Sequence, residues 1–169
     1  EQTFRLMIDI DEDIDESWMK PKEGFVGEEE DEDNVSFGKN IIDRLIASLG
    51  DEKMLPLIGE LVQNTVANDE DWRYKHAGIM AFSLVGEYVD DPSKISVMVP
   101  VLASACAHAN PMIRYAALHC IGQFSDDMPE DFQKTYGDMV LPPLIQCLDD
   151  PVPRVQSHAA ASLTNYIEH

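Results

Sequence analysis

The chain has 169 residues, 32 of them acidic and 12 basic, for a formal net charge of −20. Such a chain does not bind nucleic acid by neutralising phosphates, and an anionic membrane surface repels it. No run of about 18 apolar residues is available to span a bilayer, while 44% apolar content is too high for a wholly disordered chain.

The length fits one domain. The sparse, odd set of cysteines (Cys106, Cys120, Cys147) fits a reducing compartment better than a disulfide framework. The first residue is Glu1, and an apolar pattern is already running at Phe4. The chain is therefore expected to be a piece of a longer one.

Phe4, Met7 and Ile8 read as the end of a first helix. An acidic segment follows. Between Asp9 and Asp33, thirteen acids stand against Lys20 and Lys22, which places more than half of the net charge in one stretch. Pro21, Gly24 and Gly27 interrupt it, and its like charges repel, so it is expected to be a solvated loop over about residues 10–36. The run Asp9, Asp11, Asp13, Asp15 is tested against a calcium loop, which needs Gly at the sixth position and Glu at the twelfth. Neither frame supplies them: these positions hold Ile14 and Lys20 from Asp9, or Glu16 and Lys22 from Asp11. From Phe37 to Leu49, Ile41, Ile42, Leu45, Ile46 and Leu49 predict a helix that Gly50 stops.

Three longer segments then share a layout. They open on Leu55-Pro56-Leu57-Ile58, Val99-Pro100-Val101-Leu102 and Leu141-Pro142-Pro143-Leu144, each introducing a helical apolar pattern. Proline is tolerated near a helix start, where its missing donor costs little. Polar turns follow, at Asn68 to Asp71, Ala109-Asn110-Pro111 and Asp149-Asp150-Pro151.

A second helix follows each turn. Its stripe is Tyr74, Ala77, Gly78, Ala81, Phe82 and Val85 in the first segment. It is Ile113, Ala116, Ala117, Cys120, Ile121 and Phe124 in the second, and Val155, His158, Ala159, Ser162, Leu163 and Tyr166 in the third. All three step as one helix face. A register one turn away, pairing Gly86-Glu87 with Gly122-Gln123, remains open. Two helices per unit at a period near 40 predict an all-α fold, a HEAT-type α-solenoid. The expected units are residues 1–49 (partial, with the acidic loop between its helices), 50–90, 91–128 and 129–169.

The residues also resemble a known family, the importin-β (karyopherin-β) nuclear transport receptors, and within it the importin-5 branch. The stretches that carry the likeness are Leu6 to Trp18, the acidic loop and Ile42-Asp43-Arg44-Leu45-Ile46-Ala47. Asp71 to Ala81, Ile113 to Ala117 with Gly122-Gln123, and Arg154 to Ala161 complete them. Tyr88 departs from the pattern, in which a small residue usually follows Gly-Glu. The resemblance implies a right-handed superhelical stack of antiparallel helix pairs, with first helices on the convex side and second helices lining the concave side. It implies import of basic cargo such as ribosomal proteins and histones, release by the GTPase Ran acting mainly through repeats outside this chain, and contact with nucleoporins. It also implies shuttling between cytoplasm and nucleus.

The ends of the second helices are then the candidate contact surface. In the stripe register Glu87, Asp126 and Glu168 are equivalent. A carboxylate at a helix C-terminus opposes the macrodipole by about 0.3–1 kcal/mol, so three in register suggest a gain elsewhere. With Gln123 and Asn165 as amide partners, this ladder suits an extended Lys- or Arg-rich segment.

Other residues read as structural. Cys120 and His158 lie on buried stripes, His158 as a hydrogen-bonded interior histidine, and Trp72 anchors a turn. No Cys-x-x-Cys pair, Gly-x-Ser-x-Gly elbow or phosphate loop occurs, so no metal, cofactor or catalysis is expected. The alternative to transport is a HEAT scaffold subunit of a multiprotein complex.

Overall fold

The structure, a computed structural model, describes residues 2–21, 34–66 and 71–168. Every regular element among them is helical. The α-helices are α1 (Gln2–Met7), α2 (Asn34–Leu49), α3 (Asp51–Val66), α4 (Trp72–Ser83), α5 (Val99–Ala105), α6 (Pro111–Asp127), α7 (Asp131–Gln146) and α8 (Pro153–Ile167), with 3₁₀ turns at Gly86–Tyr88, Pro92–Ile95 and Cys147–Asp149. They form an α-solenoid. The second helices α4, α6 and α8 pack side by side, α2 touches α4 more lightly, and α5 packs on α7.

The predicted stripes are the packed faces. Ile113, Ala116, Ala117, Cys120, Ile121 and Phe124 are fully buried on α6, because that helix has neighbours on both flanks as well as its own pair. Small residues set the spacing. A side chain at Gly122 would stand 2.8 Å from the Ser162 hydroxyl of α8, and that hydroxyl donates back to the Leu118 carbonyl of α6 at 2.8 Å. Aromatic contacts run through three units: Phe82 to Phe124 at 5.2 Å, Phe124 to Phe132 at 5.7 Å and Phe132 to Tyr136 at 5.6 Å between ring centres. Such edge contacts add to the area that the rings bury. Tyr74, assigned to a stripe, is instead exposed at the edge of α4.

The helix starts differ from expectation. α3 begins at Asp51, so Pro56 lies inside it, and α7 begins at Asp131, which puts Pro142 and Pro143 in its last turns. In α7 the apolar residues Phe132, Tyr136 and Val140 are already buried before the prolines, and this packing outweighs the donors the two prolines lack. α2 starts at Asn34 rather than Phe37, and its end is as expected, with the Gly50 amide donating to Ile46 at 2.9 Å. Asp71 and Asn110 cap α4 and α6 through their side chains. Of the first turn, residues 67–70 lie outside the described residues.

An arginine near the start of each later second helix ties units together. Arg73 pairs with Asp71 at 2.7 Å. Arg114 grips both oxygens of Asp150 at 2.6 and 2.8 Å and also donates to the His108 carbonyl, which fixes the turn before α8. This pair is almost fully buried and bidentate, the geometry in which an ion pair overcomes its desolvation cost.

Arg154 takes a third role. Its backbone amide donates to the Met19 carbonyl at 3.1 Å, and its guanidinium sits 4.9 Å over the Trp18 ring and 5.5 Å over Tyr115. Trp18 meets Tyr115 edge-on at 5.6 Å. The expectation of a solvated acidic loop is therefore corrected for its first half. Residues 9–21 lie across the starts of α4, α6 and α8, held by Ile10, Trp18 and Met19, while their acids face outward. Residues 22–33 of the loop lie outside the described residues.

His158 is buried as predicted but not hydrogen-bonded. Both ring nitrogens lack partners, and the ring is stacked between Tyr115 at 4.1 Å and His119 at 5.6 Å. Burial and the nearby Arg154 charge hold it down at about 4, so it is neutral at physiological pH.

Trp18→Ala should destabilise the fold by about 2 kcal/mol, since it removes a part-buried ring and its cation–π contact. Thermal unfolding together with hydrogen exchange at the Arg154 amide checks this. Unchanged melting with unchanged protection at Arg154 would mean that residues 9–21 do not hold the units.

Candidate functional site

Acids from three units gather around one junction: Asp43 from α2, Glu87 from the turn after α4, and Asp126 and Asp127 from the end of α6. α4 stops at Ser83, and Gly86–Tyr88 continue as a 3₁₀ turn, so Glu87 projects, exposed, from that turn rather than from the helix. Gly86 is buried there against α6. A side chain on it would collide with the Asp127 carboxylate and with Phe124, so glycine is what allows the turn to approach so closely.

Asp127 is thereby half-buried. Its carboxylate accepts from the Gln123 amide at 2.8 Å and from the backbone amide of Glu87. Burial, opposed by these bonds and reinforced by the charges of Asp126 and Glu87, pushes its pKa up from 3.8 to about 6. On the other flank Tyr88 reaches back to α2, where its hydroxyl donates to Asp43 at 2.9 Å. Asp43, Glu87 and Asp127 all act on this phenol, and with the Asp43 hydrogen bond as the largest cause its pKa rises to about 12.

The predicted residues fall as follows. Glu87 is exposed and borders Asp127. Gln123 is turned onto Asp127. Asp126 is exposed on α6, one position from the residue that faces the 3₁₀ turn. The Asn165 amide donates to the Gly122 carbonyl at 3.4 Å, tying α8 to α6. Glu168 is exposed at the cap of α8, away from this group. Sequence reasoning missed Asp43 and Asp127. Their signal was present: Asp43, Glu87 and Asp127 recur at about one repeat length.

The arrangement concentrates negative charge in a shallow row. Among the described residues, the groups that act on Asp127 by charge are both acidic. The row suits donor-only cations such as lysine ammonium and arginine guanidinium. No metal-holding cluster is found among the described residues.

A HEAT repeats profile matches residues 60–164. Importin subunit beta-3 of Saccharomyces cerevisiae is 28% identical over 168 residues, which is 95% of this chain and 15% of that protein. Kap121p bound to RanGTP superposes with a TM-score of 0.85 at 27% identity, covering 98% of this chain and 16% of that one. The chain belongs to the importin-β family of HEAT-repeat proteins. It spans about 15% of the length of the curated importin it matches. A Kap121p variant carrying three acid-to-lysine changes, roughly a repeat apart, superposes on this importin-β segment with a TM-score of 0.84 at 25% identity, over 97% of this chain and 16% of that one.

Asp127 tests the electrostatics of the row. Its pKa is raised, so the folded state binds its proton more tightly than the unfolded chain does. The carboxyl therefore costs nothing below about pH 4, and its penalty grows to full size as pH rises through about 6. After allowance for its partial exposure, Asp127→Asn should stabilise the fold by about 1 kcal/mol near pH 7 and change little near pH 4. Chemical denaturation at both pH values measures this. Destabilisation near pH 7 would show that the ionised carboxylate helps the fold.

Proposed function

We propose that this chain is part of a nuclear import receptor and binds basic segments of protein cargo along the row formed by Asp43, Glu87 and Asp127. The observation that carries the reading is the convergence of these three carboxylates from three successive units, on α2, on the 3₁₀ turn after α4 and on α6, with no basic side chain among the groups acting on Asp127. A ligand bound there would be extended, because the acids are spaced by repeats. It would be held by several weak charge-assisted contacts rather than by one deep pocket.

Family membership supports the reading. Structures of Kap121p exist with RanGTP, Pho4p, Nup53p and the SUMO protease Ulp1p. By analogy the receptor of which this segment is part shuttles between cytoplasm and nucleus and carries basic cargo of the ribosomal-protein or histone type. It contacts nucleoporins, and RanGTP, engaging mainly other repeats, releases the cargo. The second helices then form the concave cargo-facing side. Asp126 and Glu168 widen the negative field at its margin, Gln123 orients Asp127, and Asn165 fixes the helix spacing.

A labelled lysine-rich peptide should bind the chain with an affinity that falls as salt rises. Glu87→Gln/Asp127→Asn should weaken it by roughly threefold to tenfold, the range for two partly exposed charge contacts. Fluorescence anisotropy across a salt series reads both. Equal affinity for native and double variant would remove the carboxylate row. No binding by the native chain would favour a HEAT scaffold without a cargo role.

A further inference from the structure

The row's three carboxylates are not equivalent, and Tyr88 is the reason. Its hydroxyl is committed to Asp43 Oδ1 at 2.9 Å, across the boundary between the first and second units and 45 residues along the chain. The ring is held in place, half-buried and packed on the core, so the contact costs little side-chain entropy to maintain. A phenol is protonated at neutral pH, and the Asp43 hydrogen bond and surrounding acids raise its pKa further. It is therefore a permanent donor, occupying one face of Asp43 in the way a ligand's ammonium would. Glu87 is exposed to solvent, and Asp127 receives only neutral amide donors.

We infer that Tyr88 sets the selectivity of the row by acting as an internal ligand of Asp43, so that a basic segment is gripped by Glu87 and Asp127 and engages Asp43 only by displacing the phenol. This rests on the proposed cargo-binding reading and deepens it. The native footprint covers the second and third units. A cation directed at the first unit meets a carboxylate already bonded to a built-in competitor. The phenol's bond to the carboxylate is itself charge-assisted, so a well-placed lysine displaces it only through the full opposite charge that it adds, and gains less than it does at an unoccupied carboxylate.

Tyr88→Phe isolates the hydroxyl, since the ring and its packing remain. With the labelled lysine-rich peptide at moderate salt, this variant should bind roughly threefold to tenfold more tightly than the native chain, the gain of one extra charge-assisted contact. Adding Asp43→Asn to Tyr88→Phe should abolish the gain, because the carboxylate that the lost hydroxyl frees is then gone. Thermal unfolding confirms that each variant is folded. Weaker binding by Tyr88→Phe would show that the phenol positions Asp43 for the ligand instead of competing with it, and would overturn the inference. A native chain that binds, is weakened by Glu87→Gln, and is unmoved by Tyr88→Phe would sink the role of Tyr88 alone. A native chain that does not bind the peptide would remove both readings.

Discussion

The side-by-side approach of the second helices is the constraint on which the rest of the structure depends. α4, α6 and α8 meet through residues too small to hold them apart: Gly86 against Asp127, and Gly122 against Ser162. A methyl group at either glycine would push neighbouring units apart. The spacing brings Phe82, Phe124 and Phe132 into edge contact and stacks His158 between Tyr115 and His119. It also carries the 3₁₀ turn after α4 close enough to the end of α6 for Glu87 and Asp127 to feel one another.

That closeness is unfavourable for the fold taken alone. Asp127 loses solvent and faces Asp126 and Glu87, which is why its proton is held so tightly. The Gln123 amide and the Glu87 backbone donor offset part of the cost, and on the other flank the Tyr88 hydroxyl donates to Asp43. Like-charged groups gathered at the junctions of successive units, with Asp43 and Asp127 supported by neutral donors, suit an extended cation. A solvated surface would leave such acids dispersed. Natural chains break local rules mainly where a site is built.

The solenoid was legible because helical periodicity is a local signal, and the stripes of α6 and α8 have the burial it predicts. Helix starts were less so. The prolines looked like openings, yet Pro142 and Pro143 close α7, since burial of Phe132 and Tyr136 overrides the local cue. The docked half of the acidic segment carried no signal at all. Trp18 and Arg154 are 136 residues apart, and nothing in either neighbourhood announces the other. The site was partly legible. A stripe superposition selects Asp126, but one residue is about 100° around a helix, and it is Asp127 that turns toward the 3₁₀ turn at Gly86–Tyr88. Asp43 was missed because the ladder was sought only in the three complete units, while the first supplies it from α2.

We propose that one row of acids, and not the acidic insertion, receives a basic ligand. Backbone amide NMR during titration with a lysine-rich peptide separates the two most directly. Saturable shifts are expected at Gly86 to Tyr88 and Asp126 to Met128, with those of residues 9–21 small. Shifts concentrated in residues 9–21, with the junction residues unmoved, would contradict it.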